Sequence, residues 1–220
     1  MRPSFPSLTG GTEKDYRFHT LAREVLSVKE TVVRSLKEGA ELRLKMAETM
    51  GESITAAAEA IADAFKAGRK LLLFGNGGSA ADAQHIAAEF MNRFLIERPP
   101  LPAIALTTDT SVLTSIANDY AFDDIFSKQV KALGKKGDVA LGITTSGSSP
   151  NVLKALRAAK KLGMIAITLT GEAGKAATLA DIALQVPSRS VPRIQEAHIV
   201  VGHILCELTD TLLFKDVGKR

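Results

Sequence analysis

The feature that most constrains the fold is a series of short apolar runs separated by stretches of helical periodicity. The apolar runs predict buried strands at 70–74, 103–107, 138–143, 164–169 and 182–186. The stretches between them predict helices at 79–92, 110–117, 123–133, 150–162 and 174–179. Parallel strands need a crossover connection, which is usually a helix. The alternation therefore predicts an α/β fold with a doubly wound, mainly parallel sheet of five strands.

Further helical patterns flank this block. Residues 21–50 have apolar side chains at helical spacing, with a break proposed at Gly39, and residues 53–67 form a pattern that Gly68 would end. A last helix is predicted over 191–214, whereas residues 1–16 have no apolar period. We predict a mobile tail over 1–20, an N-terminal helical arm over 21–52 and one α/β domain over 53–215. The apolar stripe of the arm has no partner inside such a domain, which predicts a homotetramer.

Composition excludes several classes of protein. The 28 Lys and Arg exceed the 24 Asp and Glu by a net charge of +4, and this excess is spread along the chain without a dense basic cluster. Together with two Tyr and no Trp, this argues against direct nucleic-acid binding. No apolar run reaches the ~18 residues of a membrane span. A single cysteine, Cys206, forms no intrachain disulfide, and we expect a cytoplasmic protein.

The first predicted strand leads directly into the sequence Gly75-Asn76-Gly77-Gly78-Ser79 and then a helix. Glycines allow a tight turn, and the N–H groups of a helix N-terminus bind anions. Gly75, Gly77 and Ala80 also satisfy the dinucleotide pattern G-x-G-x-x-G/A, but Glu97, about 20 residues on, lies in a loop before the next strand. The loop therefore favours a phosphate or polyhydroxy ligand over a dinucleotide.

The third predicted strand leads into a second polar loop, residues 144–150 (TTSGSSP). Ser149 is expected to cap the following helix and Pro150 to occupy its first position. Capping does not account for the other hydroxyl and glycine residues, which form a compact phosphate cradle at a helix N-terminus. Both loops follow strands, so they lie at the edge of the sheet where open α/β folds bind ligands.

Two helices carry a set of residues that can bind a divalent metal. His85 and Glu89 are four residues apart on one predicted helix, and Gln195 and His203 share a side of the last helix. His198 is rotated by roughly 140° from His203 at 100° per residue, so we expect it to pack elsewhere. A pair such as His85 and Glu89 is more often a surface hydrogen bond. The four residues together are of the kind that binds zinc.

Four separated motifs, in this order, resemble the phosphoheptose isomerases of the sugar isomerase (SIS) domain superfamily. They are residues 75–85 (GNGGSAADAQH), 116–119 (IAND), the Thr-Ser-Gly of 145–147, and 193–198 (RIQEAH). The resemblance extends from about residue 21 to residue 213. It implies conversion of sedoheptulose 7-phosphate into D-glycero-D-manno-heptose 7-phosphate, the first step toward the heptose precursors of lipopolysaccharide and other surface sugars.

The resemblance also implies roles for individual residues. It assigns one zinc ion per subunit to His85, Glu89, Gln195 and His203, and proton transfer to Glu89 and His203. The positions it implies for substrate contact are Asn76, Gly77, Gly78, Ser79, Glu89, Arg93, Asn118, Asp119, Thr144, Thr145, Ser146, Ser149 and Gln195. The chain departs from the family pattern in reading TTSGSS at 144–149, where members often have STSGNS, and in having Val191 and Pro192 where some members carry a charge.

Two other functions remain open at this point. The same superfamily contains replication-initiator-associating proteins, which bind a protein partner as tetramers, and a third class would sense a sugar phosphate without catalysis. The resemblance implies that the initiator-associating proteins lack the equivalents of Glu89 and His203. Because both residues are present here, we expect an enzyme that forms an enediol by moving a proton next to a carbonyl.

Overall fold

The computed structural model describes residues 27–214, so the predicted tail lies outside the described residues. The strands are β1 (Leu71–Gly75), β2 (Ala103–Ala105), β3 (Val139–Thr144), β4 (Ile165–Thr170) and β5 (Ile182–Gln185). The helices are α1 (Val28–Thr49), α2 (Gly51–Lys66), α3 (Gly78–Met91), α4 (Thr110–Asp119), α5 (Ile125–Leu133), α6 (Pro150–Lys161), α7 (Ala176–Leu179) and α8 (Val191–Leu213). A 3-10 turn at Phe122–Asp124 precedes α5. Each predicted strand and helix of the α/β block is thus present, with its ends displaced by no more than two residues.

All strand pairs in the sheet are parallel, in the order β2-β1-β3-β4-β5. Every residue of β1 and β3 is buried, because helices cover both faces of the sheet. From β1 the chain first moves outward to β2 and then returns to the other side of β1 for β3. The winding direction therefore changes between β1 and β3, which is where open α/β sheets bind ligands at the carboxyl ends of the strands.

Two apolar cores hold the helices against the sheet. One core packs side chains of α2, α3 and α8 on one face, including Ile61, Phe90 and Leu205. The other packs α5 and α6 on the opposite face, including Phe126 and Leu156. Full burial of each such side chain contributes about 1.5–3 kcal/mol relative to leaving it exposed. The two helices that matter most for the site, α3 and α8, are thus anchored in the same core.

The part of the N-terminal arm that the structure describes is helical from Val28, and the break predicted at Gly39 was wrong. Helix α1 continues through Gly39, and the chain reorients at Met50, which ends α1 and begins α2. The Arg193 and Glu196 side chains of α8 lie against Gly39, where a Cβ would be 3.4 Å from a carboxylate oxygen of Glu196. Gly39 therefore lies inside a continuous helix, at its contact with α8.

Much of α1 remains exposed in the single chain. Its large apolar side chains Val28, Val32, Leu36 and Leu44 are between 54% and 85% exposed, whereas Leu42 and Met46 are buried. The helix is well formed at its start, since the Ser27 hydroxyl accepts a hydrogen bond from the Glu30 backbone and the Glu30 carboxylate accepts one from the Ser27 backbone.

In the part of the chain that the structure describes, no helix is long and apolar enough to cross a membrane.

Candidate active site

The loop after β1 is shaped by glycine. A Cβ at Gly75 would lie 2.8 Å from both the Ile143 carbonyl oxygen and the Ser79 Cβ, so the close approach of β3 and α3 requires glycine there. Gly77 has a φ of 55°, which side-chain-bearing residues rarely adopt. Gly77 is the N-cap of α3, and no side chain of residues 27–214 caps this helix. The N-terminal N–H groups of α3 therefore face the carboxyl edge of the sheet without a side-chain acceptor at the cap.

The loop after β3 turns at Gly147, which has a φ of 63°. Ser149 is the N-cap residue of α6 and Pro150 its first residue, as predicted. The prediction that the Ser149 side chain caps the helix was wrong: its hydroxyl lies 3.0 Å from the Thr144 hydroxyl instead. The Ser146 hydroxyl accepts a hydrogen bond from the Ser148 backbone at 3.2 Å. Hydroxyl groups thus line this helix N-terminus, which presents donors to an anion.

The two loops are joined by a reciprocal pair of amide hydrogen bonds. The Asn76 side chain donates to Asn151 at 2.9 Å, and the Asn151 side chain donates to Asn76 at 2.8 Å. The oxygen of Asn151 also accepts from the Val152 backbone, which fixes the amide orientation. Asn151 is buried at the first turn of α6. Sequence reasoning missed it, because only the packing of α6 against the first loop brings the two asparagines together.

His85, Glu89 and His203 form the only His/Cys/Asp/Glu group among residues 27–214 in which three ligand atoms converge. One ligand atom from each residue lies within 4.8 Å of the other two. The Nε2 atom of His85 is 3.2 Å from the Glu89 carboxylate and 3.3 Å from the Nε2 atom of His203. The predicted neighbours on α3 and α8 are therefore brought together as the helical spacing suggested.

The surroundings of this group are half-exposed and partly aromatic. The His85 side chain is 47% exposed and the Glu89 side chain 26%, so both can reach a ligand from solvent. The Phe94 ring stacks on His203 with centroids 5.4 Å apart. One turn before His85, burial raises the pKa of Asp82 to about 6, and the nearby His85 opposes this shift. Asp82 was not predicted, because its partial burial depends on the packing of α3.

The remaining predicted site residues lie at different distances from this group. Gln195 contacts Gly78 so closely that a Cβ there would collide with the Gln195 amide. Gly78 is two turns before His85 on α3, so the role of Gln195 as a fourth metal ligand stays a prediction. Arg93 is exposed and pairs with Glu97 at 3.6 Å. Asn118 donates to Asp119 at 2.9 Å on the last turn of α4, where both are exposed.

His198 is buried on α8, in agreement with the expectation that it packs away from the other histidines. Burial lowers the pKa of His198 to about 4, and a backbone group of Thr170 opposes the shift. The ring is therefore neutral near pH 7. It does not share the exposure that makes His85 and His203 accessible to a ligand.

Comparison with known proteins decides the family. The SIS domain family profile matches residues 36–171. A phosphoheptose isomerase of Aquifex aeolicus is 54% identical over 185 residues, which cover 84% of this chain and 97% of that protein. The chain belongs to the phosphoheptose isomerase family. The members of this family are aldose–ketose isomerases.

Solved phosphoheptose isomerases share the fold. The structure of the Francisella tularensis phosphoheptose isomerase superposes with a TM-score of 0.82 at 39% identity, covering 84% of this chain and 100% of that one. The phosphoheptose isomerase from Neisseria gonorrhoeae gives a TM-score of 0.80 at 44% identity with the same coverage. These relatives support an isomerase function for the chain. They give no support to the alternative of an initiator-associating protein.

Proposed function

We propose that this chain is a phosphoheptose isomerase that converts sedoheptulose 7-phosphate into D-glycero-D-manno-heptose 7-phosphate. The observation that carries the proposal is the convergence of the Glu89 carboxylate with the His85 and His203 imidazoles. His85 and Glu89 lie on α3, which begins at the ligand-binding edge of the sheet, and His203 lies on α8. A sugar-phosphate sensor would need the two polar loops but not this group of acid–base side chains.

The reaction moves a carbonyl from C2 to C1 through an enediol. A base removes a proton from C1 while the C2 oxygen gains one, and the proton then returns to C2 while the C1 hydroxyl loses its own. We assign the carbon-bound proton to Glu89, since a partly exposed carboxylate can accept this proton and return it. We assign the oxygen-bound proton to His203, because an imidazole can both accept and donate a proton.

The same residues fit a divalent metal. Two imidazole nitrogens and a carboxylate within 4.8 Å are a donor set that zinc prefers. His85, Glu89 and His203 would hold the ion, with Gln195 as the predicted fourth ligand. When bound, such an ion would supply a positive charge that polarises a carbonyl or hydroxyl oxygen of the substrate.

The two polar loops are proposed to bind the substrate. Thr144, Thr145, Ser146 and Ser149 would hold the phosphate at the N-terminus of α6, where hydroxyl and backbone donors meet a positive helix end. The residues proposed for the sugar hydroxyls are Asn76, Gly77, Gly78, Ser79, Arg93, Asn118 and Asp119. In this arrangement the phosphate is fixed at a distance from Glu89, which acts on the other end of the sugar.

We further propose that the enzyme is a homotetramer of the cytoplasm. The exposed apolar side chains of α1 support self-association, since a stripe of this length is rarely left in water. A site on α3 and α8 would then lie close to the subunit boundaries, because α1 packs on α8.

Ligand-dependent thermal stability tests the substrate class. A ligand that binds only the folded protein raises the melting temperature as its concentration exceeds the dissociation constant. We expect sedoheptulose 7-phosphate to raise the melting temperature and NAD to leave it unchanged. Stabilisation by NAD without stabilisation by the sugar phosphate would show that the Gly75–Ser79 loop binds a dinucleotide.

A further inference from the structure

Arg98 is a buried arginine between the two helices that carry the catalytic group. Its guanidinium donates to the Asp210 carboxylate of α8 at 2.7 Å. It also donates to the backbone carbonyls of Glu89 at 2.9 Å and Phe90 at 2.8 Å, and to that of Asn92 at 3.3 Å. The Arg98 side chain is fully buried and that of Asp210 is 5% exposed. One planar group therefore joins the end of α3 to α8.

The carbonyl partners explain why an arginine suits this position. The last carbonyls of a helix lack intrahelical donors, and α3 ends at Met91. Arg98 supplies these donors and places a positive charge at the negative end of the helix. The fork-shaped guanidinium can satisfy several acceptors in fixed directions, which an ammonium group cannot.

The link lies close to the reacting groups. Glu89 is itself one of the residues whose carbonyl Arg98 binds. On α8, His203, Cys206 and Asp210 follow each other at steps of three and four residues, so they share one face. Burial raises the pKa of the Cys206 thiol to about 12, and the neighbouring carboxylates of Glu89 and Asp210 contribute to the increase. Arg98 therefore joins the Glu89 backbone to a carboxylate on the same face of α8 as His203.

Stability alone does not account for such a pair. Desolvation offsets much of the attraction between buried charges, and well-packed apolar residues of similar volume are often equally stable. We propose that Arg98 is a positioning residue: by tying the Glu89 backbone to Asp210 it fixes the separation of His85 and Glu89 from His203. The role in turnover rests on the isomerase function proposed above. Catalytic groups must be held within about 0.5 Å of their productive geometry, and a shift of 1 Å can cost 10²-fold in rate.

The test uses the full chain and the substitution Arg98→Lys. Lysine keeps the positive charge but lacks the planar guanidinium that donates to several acceptors in fixed directions. Kinetics with sedoheptulose 7-phosphate, run equally far below each melting temperature, should show kcat reduced about tenfold or more while KM changes little. The NMR signals of the His85 and His203 imidazoles should shift. Titration of the metal-free protein with Zn²⁺ against a chelator should show weaker binding.

The control is Lys70→Met, which breaks a partly buried ion pair elsewhere in the chain. Lys70 pairs with Asp138, which is 2% exposed, at the amino end of β1 and β3, the sheet edge opposite the site. We expect Lys70→Met to lower the stability of the fold but to preserve kcat, the imidazole NMR signals and the affinity for Zn²⁺. The proposal is overturned if Arg98→Lys merely lowers the melting temperature, or if Lys70→Met has the same effects on the site. If the wild type shows no isomerase activity, the proposed function fails, and the imidazole signals alone decide whether Arg98 positions the group.

Discussion

Two histidines five residues apart on α8 have opposite environments. His198 is buried, whereas His203 is partly exposed and faces His85. We expect His203→Gln to lower turnover of sedoheptulose 7-phosphate by ~10²-fold, because general acid–base catalysis contributes about that much. The same substitution at His198 should leave most of the activity. Steady-state kinetics on both variants distinguishes them, and equal losses would contradict the assignment of His203.

His198 should also make the protein less stable in acid. Its pKa is about 4 when folded, below the ordinary value of 6.5, so the unfolded chain binds the proton more readily. The stabilising contribution is complete above pH 6.5 and is lost as pH falls toward 4, by about 3 kcal/mol at 1.36 kcal/mol per unit. Urea unfolding from pH 7 to 4 should therefore show a smaller decrease for His198→Gln than for the wild type. An identical decrease would show that His198 is not the group responsible.

Helical spacing was enough to bring some site residues together in the prediction. His85 and Glu89 are one turn apart, and the steps of four along α8 placed His203 on the side that meets them. Arg98, Asn151 and Asp82 could not be found this way, because their roles depend on contacts between distant segments. Ser149 has the residue type and position of a cap, but the Thr144 hydroxyl competes for its side chain. The residue type and position of a side chain predict which hydrogen bonds it can form. The tertiary structure determines which of these bonds it does form.

At the scale of elements, the alternation of apolar runs with helical patterns predicted the five strands, and all of them are present. Strand β2 is shorter than the predicted 103–107, since pairing with β1 ends at Ala105. Gly39 was misplaced as a break because glycine is a weak helix former locally, whereas packing against α8 keeps α1 continuous. Periodicity thus predicts the elements, and tertiary contacts determine where each one ends.

The contact between the two loops gives a prediction at this scale. Asn151→Ala removes both amide hydrogen bonds to Asn76, so the β1–α3 loop and the start of α6 are no longer tied together. We expect KM for sedoheptulose 7-phosphate to rise about tenfold, corresponding to the ~1.4 kcal/mol typical of lost polar contacts. Kinetic measurement of KM and kcat checks this.

A matched control is Gln129→Ala. Gln129 is also a buried amide with two hydrogen bonds, to the carbonyls of Leu106 and Ile125, but neither partner belongs to the proposed site. It should lower the free energy of unfolding by a similar amount and leave KM unchanged. A rise in KM for both variants would mean that the effect reports general loosening of the fold.

For the whole molecule, the exposed face of α1 predicts self-association. We expect sedimentation at micromolar concentration to show a homotetramer, and Leu36→Glu, at a side chain that is 70% exposed, to yield smaller species. The control is Leu133→Glu on α5, which is 40% exposed on the other face of the sheet and should leave the assembly intact. A wild type that sediments as a monomer would contradict the proposed tetramer.

The central claim is that Glu89 moves a carbon-bound proton of a ketose phosphate. The most direct measurement follows sedoheptulose 7-phosphate by NMR with the wild type, with Glu89→Gln, and with Glu59→Gln at an exposed position of α2 as the matched control. We expect the wild type and the control to form the aldose. Glu89→Gln should form it at a rate at least ~10²-fold lower, with unchanged circular dichroism and sedimentation. Full activity in Glu89→Gln, or no aldose from the wild type, would contradict this claim.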